Sequence, residues 1–117
     1  MNILIVDDHA MVRETIISLL RAATDWEIVS FESGQDFVSN WDGAGDCVLL
    51  DARMPIVSGW DVLHHLQRRD AAIPVILMSG HLDDVNDTNT TYPNLKAFLA
   101  KPFSGKTLIN TIHEHIT

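Results

Sequence analysis

The stretch VLLDARMPIVSG, residues 48–59, joins a buried strand to a helix through a turn. It begins with apolar residues and no polar alternation, which is typical of a strand covered on both faces. The strand ends at a single carboxylate, Asp51, and the pair Met54–Pro55 marks a turn before a helical pattern that begins near Ser58. Strand, turn and helix in this order form the repeating unit of α/β sheets, so the stretch predicts one such unit with an acid at its carboxyl end.

The same unit recurs along the whole chain of 117 residues, which predicts one domain over residues 1–117. Strands are predicted at residues 2–6, 26–31, 46–50, 74–78 and 96–100. A chain that alternates strands and helices in this way forms a parallel sheet with helices on both faces, because each crossover is right-handed and covers the sheet. The first, third and fourth strands are continuous apolar runs and are expected to be central, whereas the more polar second strand is expected at an edge.

Helices are predicted where apolar residues recur at helical spacing, and serines are expected to begin three of them. The first helix, from about His9, should turn Val12, Ile16, Leu19 and Ala23 inward. The helix that begins at Ser33 should turn Phe37, Val38 and Trp41 inward, and the helix that begins at Ser58 should turn Val62, Leu63 and Leu66 inward. The helix that begins at Ser104 should turn Leu108, Ile109, Ile112 and Ile116 inward. The fourth helix along the chain should lie in residues 81–95. Asn, Asp and Thr dominate there and Pro93 breaks the chain, so we predict that it is short or frayed.

Composition argues against several kinds of partner. The formal net charge is −8, from 16 acidic against 8 basic residues, and it repels phosphate backbones, so direct nucleic-acid binding is not expected. No apolar run approaches the ~20 residues of a membrane span, and the N-terminus lacks the features of a signal peptide, which predicts a cytoplasmic protein without membrane association. A single cysteine, Cys47, rules out an internal disulfide and is interpreted as a buried thiol.

Two pairs of histidines do not predict a zinc site. His64 and His65 are adjacent, and His113 and His115 are two apart on a predicted helix. Neither pair therefore faces one point, as residues four apart on a helix would. We interpret all four as solvated surface histidines.

Reactive side chains collect at the carboxyl ends of the predicted strands, where open parallel sheets bind their ligands. The first strand is followed by Asp7 and Asp8, the third by Asp51, the fourth by Ser79 and the fifth by Lys101. Three carboxylates in one place repel each other unless positive charge holds them ionised. A divalent cation together with Lys101 would bring the sum of these charges to zero. Mg²⁺ fits, because it takes oxygen ligands and keeps water or a phosphate in its shell.

Such a site can hold a phosphoryl group in line with a carboxylate oxygen. The metal ion and Lys101 would neutralise the phosphoryl oxygens, and Asp51 would attack as the nucleophile. Each residue also has an ordinary structural interpretation: Asp7 or Asp8 could cap the first helix, Ser79 could be a turn hydroxyl, and Lys101 could be a surface cation. Their joint occurrence at four strand ends favours a phosphoryl-transfer site.

Together these residues resemble the receiver domain of two-component response regulators, a CheY-like family, over essentially the whole chain. The matching positions are Asp7–Asp8 for the acidic pair, Asp51 in LLDARMPIVSG for the phosphoacceptor, Ser79 for the switch hydroxyl, Phe98 for the switch aromatic, and Lys101–Pro102–Phe103 for the ending of the fifth strand. The resemblance implies an α/β, doubly wound (βα)5 sandwich of the flavodoxin-like type, with a five-stranded parallel sheet in the order 2-1-3-4-5.

The resemblance also implies a mechanism. A histidine kinase or a phosphotransfer protein would present a phosphohistidine, and Asp51 would accept its phosphoryl group; the domain would be no enzyme beyond its own phosphorylation and dephosphorylation. Mg²⁺, which Mn²⁺ could replace, would be held by Asp8, Asp51 and the backbone carbonyl of Arg53, with Asp7 acting through metal-bound water. Arg53 and His81 occupy positions whose side chains affect how fast the acyl phosphate hydrolyses, and Arg53 is expected to shield it in part.

Phosphorylation would then change a surface of the domain. Ser79 would hydrogen-bond the new phosphate, Lys101 would pair with it, and Phe98 would turn into the vacated space, which would bias a surface made by the fourth helix, the fifth strand and the last helix. The Lys101–Pro102 bond is expected to be cis, as in relatives. The same surface could form a homodimer, although the polar segment 84–94 departs from the family and weakens that expectation. The chain is either a stand-alone receiver or the receiver of a longer regulator with a C-terminal output domain.

Three alternatives are weighed against this interpretation. A haloacid-dehalogenase-type phosphatase also uses a strand-end Asp with Mg²⁺, but it places two acids two residues apart, whereas VDDHA, residues 6–10, has them adjacent. A flavodoxin cradles phosphate with a Ser/Thr/Gly loop after its first strand, where two aspartates would repel it. A pseudo-receiver, which binds partners and never takes phosphate, would not need every chemical group that this chain retains.

Overall fold

The computed structural model describes residues 1–81 and 92–116, within which it has five strands and four helices. In chain order these are β1 (Asn2–Val6), α1 (Ala10–Ala23), β2 (Glu27–Phe31), α2 (Gly34–Asn40), β3 (Cys47–Asp51), α3 (Gly59–Arg68), β4 (Val75–Ser79), β5 (Leu95–Ala100) and α4 (Gly105–Ile116). Each predicted strand is present, and its ends lie within one residue of the prediction.

All five strands are parallel and form one sheet in the order β2-β1-β3-β4-β5. The predicted fold class and strand order are therefore confirmed, with β1, β3 and β4 in the centre and the polar strand β2 at an edge. Every residue of β3 and of β4 is buried, which agrees with their continuous apolar sequences.

The sheet separates two apolar clusters, because successive side chains of a strand point to opposite faces. On one face, Leu4 and Val6 of β1 pack with residues of α2 and α3. On the other face, Ile3 and Ile5 pack with residues of α1 and α4. The thiol of Cys47 lies in this second cluster as predicted, and burial raises its pKa to about 12, so it is a neutral packing group.

Three helices begin where the sequence predicts. The hydroxyls of Ser33, Ser58 and Ser104 accept hydrogen bonds from backbone N–H groups three residues later, at 2.9, 3.2 and 3.1 Å. Most of the residues predicted to face inward from these helices are buried, namely Phe37, Trp41, Val62, Leu63, Leu66, Leu108 and Ile112, while Val38, Ile109 and Ile116 are half-buried.

The inward face of α1 differs from the prediction. Ile16 is buried as expected, but the second fully buried residue is Leu20, whereas Leu19 is half-buried and Ala23 is exposed. The second half of this helix offers two neighbouring apolar stripes, and spacing alone does not choose between them. Leu19 instead lies against the start of α4, where its Cδ2 atom would be 3.1 Å from a Cβ built on Gly105.

The prediction of four solvated histidines is wrong for one of them. His65 is half-buried, and its Nε2 atom is buried with no hydrogen-bond partner among the described residues. Burial, together with the charges of Arg69 and Arg68, lowers the pKa of this imidazole, so it is neutral at physiological pH. The other three histidines of the two pairs are exposed, and none of the four belongs to a metal-binding group within the described residues.

The predicted short fourth helix falls mostly on residues 82–91, outside the part of the chain that the structure describes, and the homodimer expected to use that helix is untested for the same reason. Within residues 1–81 and 92–116, no helix is long and apolar enough to cross a membrane.

Candidate functional site

Strand register brings two of the predicted acids together. Val6 of β1 pairs with Leu50 of β3, so the next residues, Asp7 and Asp51, lie side by side at the carboxyl edge of the sheet. Asp7 has no exposed surface and Asp51 is 4% exposed. Two adjacent buried carboxylates require a positive partner if both are ionised.

Lys101, which follows the last residue of β5, supplies that positive charge. In the sheet, β5 lies two strands from β3 and three from β1. The Nζ atom of Lys101 donates hydrogen bonds to Oδ2 of Asp7 at 3.2 Å and to Oδ1 of Asp51 at 3.1 Å. Its backbone N–H donates a hydrogen bond to the carbonyl of Ser79 at 2.8 Å, which holds the backbone of Lys101 beside the end of β4. The predicted convergence of the strand ends is therefore present for these three side chains.

Burial and charge act differently on the two partners of this ion pair. Burial raises the pKa of Asp51 above its ordinary value of 3.8, and the negative charge of Asp7 adds to the effect, while the hydrogen bond from Lys101 opposes it. Burial by itself would lower the pKa of Lys101, but the charges of Asp7 and Asp51 outweigh it and raise that pKa. Lys101 is thus a permanent cation beside a carboxylate that is costly to ionise.

The raised pKa of Asp51 predicts a pH-dependent stability in the absence of metal. A folded-state pKa above the unfolded value contributes stability that is full below about pH 3.8 and is lost as the pH rises through the folded-state pKa. Asp51→Asn removes this loss, so we expect the variant's stability relative to wild type to increase from pH 4 to pH 7. Urea unfolding in the presence of a chelator measures this difference. The control is Asp25→Asn on the surface, and a difference for Asp51→Asn that shrinks with rising pH would contradict the expectation.

Sequence reasoning missed two basic residues at this site. The backbone N–H of His9 donates to Oδ1 of Asp7 at 2.9 Å, and its Nδ1 atom lies 3.2 Å from that oxygen and 3.1 Å from Oδ1 of Asp8. Arg13, one turn further on, donates to the backbone carbonyl of Asp7 at 2.7 Å. The alternative interpretation, in which Asp7 or Asp8 caps the first helix, does not hold, because α1 begins at Ala10 with His9 as its N-cap. The available signal was position: His9 follows the acids directly, and Arg13 lies four residues later.

The acidic residues fit a divalent cation. Asp7, Asp8, His9 and Asp51 each present a ligand atom, and these four atoms lie within 4.8 Å of one another. Oδ1 of Asp8 is buried and has no hydrogen-bond partner in the part of the chain that the structure describes, although Nδ1 of His9 is within ion-pair distance. A buried carboxylate oxygen without a hydrogen bond is unfavourable, and a bound cation would satisfy it. The donor set consists mostly of carboxylate oxygens, which Mg²⁺ prefers.

The remaining predicted residues lie within or just after β3, β4 and β5. Ser79 is 4% exposed, and its hydroxyl accepts a hydrogen bond from the backbone N–H of His81 at 3.0 Å. Phe98 is half-buried, with its ring centroid 6.4 Å from that of Trp60. The Lys101–Pro102 peptide bond is cis. The side chains of Arg53 and His81 are exposed at the rim.

The connection between β3 and α3 packs closely against the backbone of Asp51. Gly59 donates its backbone N–H to the carbonyl of Ala52 at 2.9 Å, and a Cβ on Gly59 would lie 2.5 Å from the carbonyl oxygen of Asp51. No side chain fits in that space. Ile56, in the same connection, has a φ of 67° and is 95% exposed, an unusual conformation for a β-branched residue.

A sequence model described as the response regulator receiver domain matches residues 3–113. The chain belongs to this family. As a receiver domain of two-component signalling, it is set apart from the phosphatase and flavodoxin alternatives, which are different families. The pseudo-receiver alternative concerns function within the family and is taken up below.

Relatives of the receiver domain are longer proteins. Response regulator protein TodT of Pseudomonas putida is 33% identical over 111 residues, which make up 94% of this chain and 48% of TodT. Transcriptional regulatory protein TdiR of Thauera aromatica is 30% identical over 113 residues, or 96% of this chain and 49% of TdiR. The chain therefore spans about half the length of these curated relatives.

A solved structure with the same fold is that of response regulator TrrA of Thermotoga maritima, in complex with Mg(2+)-BeF. It matches with a TM-score of 0.83 at 24% sequence identity, over 97% of this chain and 96% of that chain. At this identity the likeness concerns the fold of the receiver domain.

An apolar groove adjoins the site of the receiver domain. It has a volume of about 470 Å³ and lies between α1 and the segment that follows β5, with Met11 and Leu19 on one side and Lys101 and Phe103 on the other. Met11 is 80% exposed at its rim. A partner seated in this groove would thus contact the residue that bridges the two buried acids.

Proposed function

We propose that this receiver domain accepts a phosphoryl group on Asp51 from the phosphohistidine of a histidine kinase or a phosphotransfer protein. The observation that carries the proposal is the position of Lys101, whose Nζ atom lies 3.1 Å from Asp51 and 3.2 Å from Asp7. A structural ion pair needs only one acid for one base. Here one cation serves two buried carboxylates and leaves a third, Asp8, beside them, an arrangement suited to an incoming phosphoryl group with a second cation.

Asp51 performs the chemical step. An oxygen of its carboxylate attacks the phosphorus, the phosphorus–nitrogen bond of the donor breaks, and the imidazole of the donor leaves with the bonding electron pair. The ammonium group of Lys101 neutralises charge on the phosphoryl oxygens as the transfer proceeds. The pKa of Asp51 is raised, but positive charge at the site favours the ionised carboxylate that must attack.

Asp8, Asp51 and the backbone carbonyl of Arg53 would hold Mg²⁺, which Mn²⁺ could replace, and Asp7 would act through a water of its shell. When bound, the ion supplies two positive charges that draw the phosphoryl oxygens and the attacking carboxylate together. Asp7 also orients Lys101 through the hydrogen bond at 3.2 Å. Arg53 and His81, exposed at the rim, would modulate the access of water to the acyl phosphate.

The switch residues connect the site to a surface. Ser79 lies in β4 next to Ala100 of β5, and its hydroxyl would leave the backbone of His81 to hydrogen-bond the phosphate. Phe98, half-buried beside Trp60, would then turn inward. This change of packing would alter the outer surface of β5, α4 and the segment between β4 and β5, where an output domain or a second copy of the chain would bind.

The phosphodonor would approach over the apolar groove between α1 and the segment after β5. Met11 and Phe103 offer apolar contacts there, and Lys101 lies at the inner end. We place this exchange in the cytoplasm, where kinase and receiver would meet. Because the chain is negatively charged, any direct contact with nucleic acid would be made by an output domain.

Intact-mass measurement after incubation with a small acyl phosphate and Mg²⁺ tests this function. We expect the mass of one phosphate to be added, to be removed by hydroxylamine as an acyl phosphate requires, and to be absent when a chelator replaces the metal. The discriminating outcome is metal binding without any added mass. That result would identify the chain as a pseudo-receiver and contradict the proposal.

A further inference from the structure

His9 occupies an unusual place for an exposed histidine. Its imidazole is 64% exposed, yet its Nδ1 atom points back to the buried acids and lies 3.2 Å from Oδ1 of Asp7 and 3.1 Å from Oδ1 of Asp8. As the N-cap of α1, His9 makes no side-chain capping hydrogen bond. Its Nδ1 atom instead forms a hydrogen bond with Oδ1 of Asp7, which directs the ring toward the acids.

The contact between His9 and Asp8 lacks hydrogen-bond geometry. Oδ1 of Asp8 has no hydrogen-bond partner among residues 1–81 and 92–116, even though Nδ1 of His9 is only 3.1 Å away. The two atoms are therefore close without a proton directed from one to the other. Such a pair is suited to bind a common third atom.

The spacing of these atoms matches adjacent ligands of one metal ion. Two ligands that each lie about 2.1 Å from an ion, at a right angle, are about 3.0 Å apart. The distances from Nδ1 of His9 to the oxygens of Asp7 and Asp8 are 3.2 and 3.1 Å. Asp51 completes a group of four ligand atoms that all lie within 4.8 Å of one another, so that small movements of the side chains bring them to the separation of about 4.2 Å for opposite ligands around one ion.

We propose that Nδ1 of His9 is a ligand of the metal site and makes this site select divalent transition metals over Mg²⁺. The inference rests on the proposed function, because Asp8 and Asp51 supply the oxygen ligands. Imidazole nitrogen suits divalent transition metals such as Co²⁺, Ni²⁺ and Zn²⁺, whereas Mg²⁺ prefers an all-oxygen shell. The oxygen ligands of the site therefore accept both Mg²⁺ and transition metals, whereas the nitrogen ligand favours transition metals.

Calorimetric titration of the full chain with Co²⁺ and, separately, with Mg²⁺ tests the inference. His9→Asn is the chosen variant, because Asn is favoured at an N-cap and replaces the nitrogen ligand by an oxygen. His64→Asn, on an exposed histidine of α3, is the matched control. Only the bound Co²⁺ that excess Mg²⁺ displaces is counted, so that Co²⁺ at this site is distinguished from Co²⁺ bound to histidines elsewhere on the surface. The visible absorption of Co²⁺ provides a second readout, since it shifts when nitrogen leaves the coordination shell.

We expect His9→Asn to weaken Co²⁺ binding roughly tenfold or more, with the absorption shift, while Mg²⁺ binding stays within about twofold. A Co²⁺ affinity that stays within about twofold, or losses of equal size for both ions, would overturn the inference and leave the proposed function intact. Failure of the wild-type chain to bind either ion would instead contradict the metal site of the proposed function itself, and the inference with it.

Discussion

Asp51→Asn is expected to reduce phosphorylation by a small acyl phosphate at least about a thousandfold, to a level at which no added mass is detected. The amide lacks the anionic oxygen that must attack phosphorus, while its size and shape are those of the original side chain. Its oxygen can still accept the hydrogen bond that Lys101 donates at 3.1 Å, so the surroundings are preserved. The measurement is intact mass over time with Mg²⁺ present.

A matched control separates the loss of the nucleophile from the loss of a negative charge. Asp36→Asn changes a half-buried acid in the first turn of α2, outside the site, and should be phosphorylated like wild type. Asp51→Asn should also be folded and, without metal, at least as stable as wild type at neutral pH, because burial and Asp7 raise the pKa of the acid it replaces. Phosphorylation of Asp51→Asn at the wild-type rate would place the acceptor elsewhere.

Gly59→Ala is expected to lower the free energy of unfolding by about 2–3 kcal/mol and to impair phosphorylation as well. The new Cβ would lie 2.5 Å from the carbonyl oxygen of Asp51 and 2.8 Å from Cα of Ala52, so backbone atoms must move. Because Asp51 is the residue that would be displaced, the effect should reach the geometry of the nucleophile. Urea unfolding measures the stability, and initial rates of acyl-phosphate modification measure the chemistry.

Gly80→Ala is the comparison for this substitution. Gly80 also follows a central strand, but among the described residues the nearest atom to a Cβ built there is the Cβ of Lys101 at 4.0 Å, an ordinary contact distance. We expect its stability to change by no more than about 0.5 kcal/mol. Equal effects of the two substitutions would show that general loop flexibility, and not the close contact behind Asp51, determines the result.

Most of the fold could be predicted from the sequence because two periodicities were clear. Continuous apolar runs such as Val48–Leu50 identified the central strands, and the polar sequence of β2 placed it at an edge. Parallel pairing then required the residues after β1, β3, β4 and β5 to meet at one edge. Asp7, Asp51 and Lys101 could therefore be predicted to lie together at this edge.

The errors arose where several residues satisfy the same local pattern. Leu19 and Leu20 are both apolar, and only contact with α4 decides which of them is fully buried. All four paired histidines were interpreted as solvated, yet adjacent residues of a helix point about 100° apart, so that His64 is exposed and His65 is half-buried. The contacts of the His9 imidazole could not be predicted from spacing, because its position beside Asp7 and Asp8 depends on the path of the chain between β1 and α1.

The division of the apolar interior by the sheet has a consequence for how this sequence can change. Leu4 and Leu50 lie in one cluster and Ile5 and Leu49 in the other, with the backbone of the sheet between them. Substitutions without shared neighbours contribute nearly independently to stability, whereas those in contact do not. Random variation should therefore show strong epistasis among positions on one side of the sheet and near-additive effects across it, so that each half of the interior can diverge on its own.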